Sequence, residues 1–280
     1  MRVRPRRVAA ESGIGERLLR IKEGSGWKDG GRMASISVVI PAYDEAERII
    51  PTLKQIWNFT PARGRISQVI VVDDGSKDTT RTVVERYKSE HVFNALELNP
   101  QRKNRGKGFS VREGAELSTG DFMLFMDADN STKISNLDKL MPFCLGERGD
   151  EYDIAIGSRA IQGSVITLHQ PFFREFMGKT FNKIVRLTSG LPFNDTQCGF
   201  KLFDNEAKEL VFGRQRTERF AFDVELLYLA RKFDLRVAEV PITWHDSPSS
   251  RVSPFKDAAD MFRDALRIRM MHMGEDFSRD

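Results

Sequence analysis

An α/β fold built on one mostly parallel sheet is what this sequence predicts, and three observations carry the prediction. Short β-branched or wholly apolar runs (Ile36–Pro41, Val69–Val72, Phe122–Met126) alternate with segments of helical spacing. The runs are apolar throughout, as strands covered on both faces are. Each also ends in a polar or acidic cluster, and the carboxyl ends of parallel strands share one edge of a sheet.

Taken in order, Ile36–Pro41 opens the sheet, and Glu45–Phe59 follows with Ile49, Leu53 and Ile56 on one helical face. Val69–Val72 is a second buried strand, closed by the turn sequence Asp73-Asp74-Gly75-Ser76. A helix from about Asp78 to Tyr87 turns Val83 and Val84 inward. Ala95–Leu98 reads as a short strand, Lys107–Leu117 as a helix and Phe122–Met126 as the next strand. A helix near Ile134–Phe143 and a strand at Ile154–Ile156 complete the regular half. The second half is more mixed: an aromatic-basic helix (Phe172–Leu187), a strand near Phe200–Phe203, a helix (Phe222–Phe233), a strand (Val237–Trp244) and a terminal helix (Phe255–Met271).

The chain has 280 residues, enough for one large α/β domain with a real core or two small ones. No linker divides it after Ser35, so residues 35–272 are expected as a single domain with a tail at 273–280. No stretch approaches the roughly 18–20 apolar residues of a membrane span, and no signal-peptide core is visible. Cys144 and Cys198 lie outside any Cys-x-x-Cys pattern, and His91, His169, His245 and His272 make no ligand spacing. That argues for a reducing compartment and against zinc. Residues 1–33 carry nine Lys/Arg and four Asp/Glu, so the net +4 of the whole chain leaves −1 for the remainder. Residues 1–34 therefore read as a basic, disordered leader: an anchor for anionic lipid or nucleic acid, a solvated tail, or an upstream start before Met33. The near-neutral remainder predicts no nucleic-acid partner.

Asp127-Ala128-Asp129 follows the apolar strand Phe122–Met126 and precedes Asn130-Ser131-Thr132. Two carboxylates two residues apart, where a strand leaves the sheet, suit a hard divalent cation, Mg²⁺ or Mn²⁺, that would bridge to a diphosphate. Acidic turns after strands are common, so the motif gains weight only from its neighbours. Pro41-Ala42-Tyr43-Asp44-Glu45 and Asp73-Asp74-Gly75-Ser76 end two other strands, and a nucleotide fits along the edge they share. Tyr43 offers a stacking face, Asp73 or Asp74 an acceptor for a base N–H, and Glu45 an acceptor for a ribose hydroxyl. Each is also what helix caps and turns use. No P-loop and no Gly-x-Gly-x-x-Gly follows the first strand, so phosphate charge would fall to a cation and to Lys107, Arg159, Arg174 or Arg251, each of which also reads as a surface cation.

Together, Val39-Ile40-Pro41-Ala42-Tyr43-Asp44-Glu45, Asp73-Asp74-Gly75-Ser76, Asp127-Ala128-Asp129 and Gly157-Ser158-Arg159 resemble the family 2 inverting glycosyltransferases of GT-A fold. Asn104-Arg105-Gly106-Lys107-Gly108, the string Asp195–Phe203 and the string Glu218–Leu227 are similar to the dolichyl-phosphate glucosyltransferase branch. The resemblance spans about residues 35–270. It implies a Rossmann-like, mostly parallel sheet with a mixed acceptor-side second half, and metal-dependent transfer of glucose from UDP-glucose to a polyprenyl or dolichyl phosphate. It implies a nucleotide-sugar site of Pro41, Tyr43, Glu45, Asp73, Asp74, Lys107, Asp127, Ala128, Asp129 and Arg251. The acceptor phosphate would fall to Arg159, Arg174 and Gln197, and Mg²⁺ or Mn²⁺ to Asp127 and Asp129. With Asp127 and Asp129 as catalytic carboxylates, an anionic lipid phosphate needs electrostatic positioning, not a strong base. A neutral hydroxyl acceptor would need one, for which Asp223 is the choice; a structural acid near a helix start is its other reading.

Two features depart from the branch. Its eukaryotic members carry an amino-terminal membrane helix, for which residues 1–34 hold no counterpart, and Ser131 stands where related mannose synthases place a metal-binding Gln. Phe172, Phe173, Phe176, Phe181, Ile184 and Val185 alternate with Arg174, Lys179, Lys183 and Arg186. That pattern suits a helix lying in a headgroup layer, or equally a buried helix with a basic outer face. The expectation is a peripheral protein on the cytoplasmic face of a membrane. The alternatives are a GDP-mannose-dependent transferase, a nucleotidyltransferase, and a non-catalytic sugar-nucleotide or lipid-binding module.

Overall fold

The computed structural model describes residues 28–29, 32–63, 65–167, 190–245 and 267–278. The expected helices Phe172–Leu187 and, for most of its length, Phe255–Met271 lie outside them, as do Arg174 and Arg251. The described strands are β1 (Lys28–Asp29), β2 (Arg32–Met33), β3 (Ser35–Ala42), β4 (Arg65–Asp73), β5 (Leu96–Pro100), β6 (Phe122–Met126), β7 (Ile154–Ser158), β8 (Val165–Ile166), β9 (Phe200–Asp204), β10 (Val237–Pro241) and β11 (Thr243–Trp244). The described helices are α1 (Ile49–Arg63), α2 (Thr80–Glu90), α3 (Lys107–Leu117), α4 (Leu137–Cys144), α5 (Asn205–Phe212) and α6 (Phe222–Lys232).

Seven strands form one sheet in the order β10-β7-β9-β6-β3-β4-β5. All neighbours run parallel except β9, which is antiparallel to both β6 and β7. Two small pairs stand apart, β1 with β2 and β8 with β11. The apolar runs are explained by burial on both faces. Val38, Ile40, Val69, Val71, Leu124 and Met126 enter one core, against Ile49, Leu53 and Ile56 of α1, Val84 of α2 and Leu140 of α4. Val39, Ile70, Val72, Met123 and Phe125 point the other way, against Val111 of α3, Val211 of α5 and Leu226 of α6. Successive strand side chains alternate faces, so a strand covered twice must be apolar at every position.

The structure differs from the sequence reading at several places. Helix α1 begins at Ile49, not Glu45, because Asp44 sits at φ 53° and residues 45–48 form a turn. The expected strand Val237–Trp244 divides at Ile242 into β10 in the main sheet and β11 on β8. Helix α5 was not expected; Asp204 caps it, its carboxylate accepting from Ala207 N at 2.7 Å. Residues 28–29 and 32–33, within the expected leader, pair as β1 and β2, and Phe277 of the expected tail packs edge-on against Phe233.

Candidate active site

The parallel strands β3, β4 and β6 bring Tyr43–Glu45, Asp73–Asp74 and Asp127–Asp129 to one edge of the sheet. The first two clusters are tied to each other. Asp44 Oδ1 accepts from Lys77 N at 2.7 Å and Asp78 N at 3.2 Å, its own N–H donates to Ser76 Oγ, and Glu45 N donates to Thr80 Oγ1 at 2.8 Å. Glu45 Oε1 pairs with Arg48. Asp73 is fully buried and pairs with Arg81 Nε. Asp74 accepts from Arg105 N and Gly106 N, each at 2.8 Å, and its burial raises its pKa despite those bonds. In this structure the two acids shape the loops that flank the edge. Pro41 is buried beneath it and Tyr43 is half-buried on it.

The chemistry concentrates at the end of β6. Asp127 Oδ1 lies 2.6 Å from Lys107 Nζ, at the first residue of α3. Gly199 brings the start of β9 against the same carboxylate: its carbonyl accepts from Asp127 N at 3.1 Å, and a Cβ at Gly199 would lie 2.1 Å from Asp127 Oδ2. Ala128 is buried, its carbonyl held by Thr52 Oγ1 at 2.7 Å, which turns the chain so that both flanking acids reach the edge. Asp129 accepts from Ser131 N at 2.9 Å. Burial, then the charge of Asp127, raises the Asp129 pKa.

Beneath this pair lies a second layer of charge. Lys201, wholly buried on β9, donates to Cys198 O and to Asp223, also buried, at the start of α6. Burial raises the Asp223 pKa while Lys201 and Lys107 oppose it. Burial works against the Lys107 ammonium, but Asp127 and Asp223 overcome it and raise its pKa. The aromatic face of Phe125 lies between the two ammoniums, 5.2 Å from Lys107 Nζ and 5.8 Å from Lys201 Nζ. On the other side Arg159 grips Asp195 through Nε at 2.7 Å, Nη2 at 2.9 Å and its own backbone N–H at 3.0 Å. Burial penalises the Asp195 carboxylate, yet Arg159 holds its pKa below the usual value. Gln197 is half-buried two residues on. Ionised throughout, the cluster sets Asp127, Asp129, Asp195 and Asp223 against Lys107, Lys201 and Arg159, one negative charge in excess.

That excess, and the all-oxygen character of the donors, fit a hard divalent cation at Asp127 and Asp129. Asn130 Oδ1, next in the chain, is buried and accepts no hydrogen bond among the described residues. With two protein carboxylates, a cation there would complete its shell from water or ligand oxygens. Beside the acidic pair, an open cavity of about 450 Å³ is lined by Lys103, Asn104, Arg105, Glu218 and Arg219.

Sequence reading singled out Asp127, Asp129, Lys107 and Arg159, and the structure brings them to one edge. It passed over Lys201, Asp195 and Gly199, although all three lie in the quoted string Asp195–Phe203. A lysine within an otherwise apolar strand (Phe200-Lys201-Leu202-Phe203) was the available signal, because such a charge needs a buried partner.

Comparison with known proteins places this edge in context. The chain belongs to the family 2 glycosyltransferases: the model described as glycosyl transferase family 2 matches residues 37–209. Its relatives include dolichyl-phosphate beta-glucosyltransferases from Homo sapiens, 34% identical over 251 residues, and from Saccharomyces cerevisiae, 33% identical over 250 residues. The human alignment covers 85% of this chain and 76% of the relative, and the yeast alignment 85% and 75%. Among solved structures, mannosyl-3-phosphoglycerate synthase from Rubrobacter xylanophilus matches with TM-score 0.63 and 17% identity over 88% of this chain and 77% of its own. Glucosyl-3-phosphoglycerate synthase from Mycobacterium tuberculosis, in complex with Mn²⁺, UDP and phosphoglyceric acid, matches with TM-score 0.61 and 17% identity over 90% and 85%. The chain is a glycosyltransferase with the GT-A-like sheet of these structures.

Proposed function

We propose that this enzyme transfers glucose, with inversion, from UDP-glucose to the phosphate of a dolichol or related polyprenol at a membrane surface. The observation that carries the reading is the Asp127–Lys107 pair with Asp129 beside it, at the sheet edge where ligands of such folds collect. The relatives named above support glucose and dolichyl phosphate over the mannosyl alternative. The Mycobacterium synthase with Mn²⁺ and UDP supports a uridine donor and a divalent cation.

In this reading the bond from the anomeric carbon to the diphosphate breaks as an acceptor phosphate oxygen attacks the opposite face. The leaving diphosphate gains negative charge. Asp127 and Asp129 would hold Mg²⁺ or Mn²⁺, which when bound supplies positive charge to that leaving group. Lys107, kept protonated by Asp127 and Asp223, adds a fixed cation next to it. Arg159, oriented by Asp195, and Arg174 and Arg251 outside the described residues would position the acceptor phosphate, with Gln197 nearby. Because that phosphate is already anionic near pH 7, no base is required. Asp223, enclosed with Lys201, then serves as a counter-charge beneath the site. Tyr43 and Glu45 remain the groups for base and ribose. Among the described residues no helix is long and apolar enough to cross a membrane. Membrane contact would fall to the aromatic-basic segment 172–187 and to the C-terminal helix, whose Met270 is exposed.

The test is transfer of radiolabelled sugar from UDP-glucose, GDP-mannose and other nucleotide sugars to a polyprenyl phosphate, followed by organic extraction, with and without chelator. Extractable label from UDP-glucose, lost on chelation, is expected. Label from GDP-mannose alone would overturn the donor assignment, and undiminished transfer in excess chelator would remove the cation.

A further inference from the structure

His272 lies far from the acidic edge in sequence, is 1% exposed, and has a carboxylate on each ring nitrogen. Nε2 is 2.7 Å from Glu225 Oε1 of α6, and Nδ1 is 3.2 Å from Glu275 Oε2. A carboxylate can only accept, so both ring nitrogens must donate for both contacts to hold; a neutral imidazole has one proton to give. Glu225 is wholly buried and shares its other capacity with a loop: Oε1 accepts from Arg216 N at 2.9 Å and Oε2 from Thr217 N at 2.7 Å.

That loop is pressed against the start of α3. Glu218 O accepts from Phe109 N at 2.9 Å, and Gln215 Nε2 donates to Gly108 O at 2.9 Å and Thr217 O at 2.8 Å. The approach leaves no room for side chains. A Cβ at Gly108 would lie 2.5 Å from Thr217 O, and one at Gly106, where φ is 119°, would lie 2.5 Å from Glu218 O. Gly106 and Gly108 flank Lys107, whose ammonium holds Asp127. Glu218 also pairs with Arg105 across the open cavity.

We propose that His272 is a positioning residue for donor binding, its two-sided clasp on Glu225 and Glu275 fixing residues 215–218 and through them Lys107. This rests on the reading of the Asp127 edge as the sugar-nucleotide site. The path is a continuous run of hydrogen bonds and close contacts, so a change at its far end reaches the ammonium by geometry. The charged and titratable groups facing the imidazole are Glu225 and Tyr228 of α6 and Glu275 of the C-terminal segment, with Arg216 and Arg214 of the loop behind Glu275. Burial opposes the imidazolium, but the bonds to Glu225 and Glu275 overcome it and raise the His272 pKa. A raised histidine pKa favours the folded clasp fully below the unfolded value near 6.5, and the effect is lost as pH rises through the higher folded value. Donor binding should therefore weaken on the alkaline side.

The experiment compares wild type with His272→Ala, His272→Gln and Glu275→Gln. It measures UDP affinity by calorimetry with Mn²⁺ present, steady-state transfer across pH, the His272 titration by NMR, and folding by circular dichroism. His272→Ala should raise the UDP dissociation constant and the donor KM about tenfold with a smaller change in kcat. His272→Gln, whose amide still donates to Glu225 but does not titrate, should recover most of that affinity and flatten the alkaline limb. Glu275→Gln should move the His272 titration and the alkaline limb together to lower pH; it is the decisive variant if His272→Ala does not fold. A folded His272→Ala with donor KM within twofold of wild type, or an alkaline limb that stays in His272→Gln, would overturn the proposal. Wild-type protein that transfers no sugar and binds no UDP would instead overturn the functional reading, which separates the two failures.

Discussion

Replacing Gly199 by alanine tests whether the Asp127 carboxylate is held by shape. The added Cβ would sit 2.1 Å from Oδ2, 2.4 Å from Cγ and 2.5 Å from Oδ1, and contacts under 3.0 Å are essentially never found. Relief therefore needs a shift of about 0.9 Å, the difference between those limits. The backbone of β9 is the stiffer partner, because it is bonded on both sides to β6 and β7, so the carboxylate moves. At an effective dielectric of about 20, the attraction between unit charges falls from about 6.4 kcal/mol at the observed 2.6 Å to about 4.7 kcal/mol at about 3.5 Å. The loss of about 1.6 kcal/mol corresponds to roughly 15-fold, and the displaced group adds to it, since about 1 Å of misplacement can cost roughly 100-fold. Gly199→Ala should lower kcat/KM for the donor by about 10- to 100-fold while costing about 1–3 kcal/mol of stability. The assay is donor kinetics with a parallel urea melt, repeated in an Asp127→Ala background. If the Cβ acts through Asp127, its effect on kcat/KM disappears in that background. A Gly199→Ala enzyme within threefold of wild type, or an equal loss with and without Asp127, would refute the reasoning.

Two other outcomes follow from buried groups away from the edge. Burial, with help from Asp153, Glu206 and Glu151, pushes the Asp204 carboxyl up to about 6, so ionising it lowers stability as pH rises from about 4 to about 6. Asn keeps the cap on Ala207 without the charge, so Asp204→Asn should match wild type at pH 4 and gain about 1 kcal/mol at pH 7.5 in urea melts, discounted for partial exposure. Cys144 and Cys198 are buried thiols, the latter with its pKa pushed up to about 12, again chiefly by burial. Native protein should resist a thiol-alkylating reagent at pH 8, and mass spectrometry should find two modified sites after denaturation.

How far the sequence reveals this molecule depends on the range of the interactions involved. Strand β6 and helix α3 match their predicted bounds residue for residue, because Phe122–Met126 is apolar at every position and Lys107–Leu117 begins after a glycine and ends where a polar Ser-Thr-Gly turn begins. The acidic edge was legible because a parallel sheet puts strand ends together whatever their distance in sequence. Long-range pairing was less legible. No local pattern says that Thr243–Trp244 leaves the main sheet for β8, nor that Asp73 answers to Arg81. Glu225 and His272 were invisible for the same reason: each is an ordinary residue in an amphipathic segment, and only folding sets them 2.7 Å apart.

The one reversed strand also has a consequence for the order of assembly. Strands β3, β4, β5 and β6 come from a continuous stretch of chain and pair within it, so the donor side of the sheet needs nothing beyond residue 126 to take shape. Strand β9 docks only after another 74 residues, with Met126 meeting Phe200, and β7 and β10 attach through it. Pairings of such separation form slowly, because the loop must close before any contact rewards it. During synthesis, the acidic edge therefore exists before Arg159, Lys201 and the backbone of Gly199 arrive to govern it. The nascent half presents Asp127 and Asp129 with Lys107 as the nearest cation already in the chain, and the enzyme's final electrostatic balance is set by its last strands.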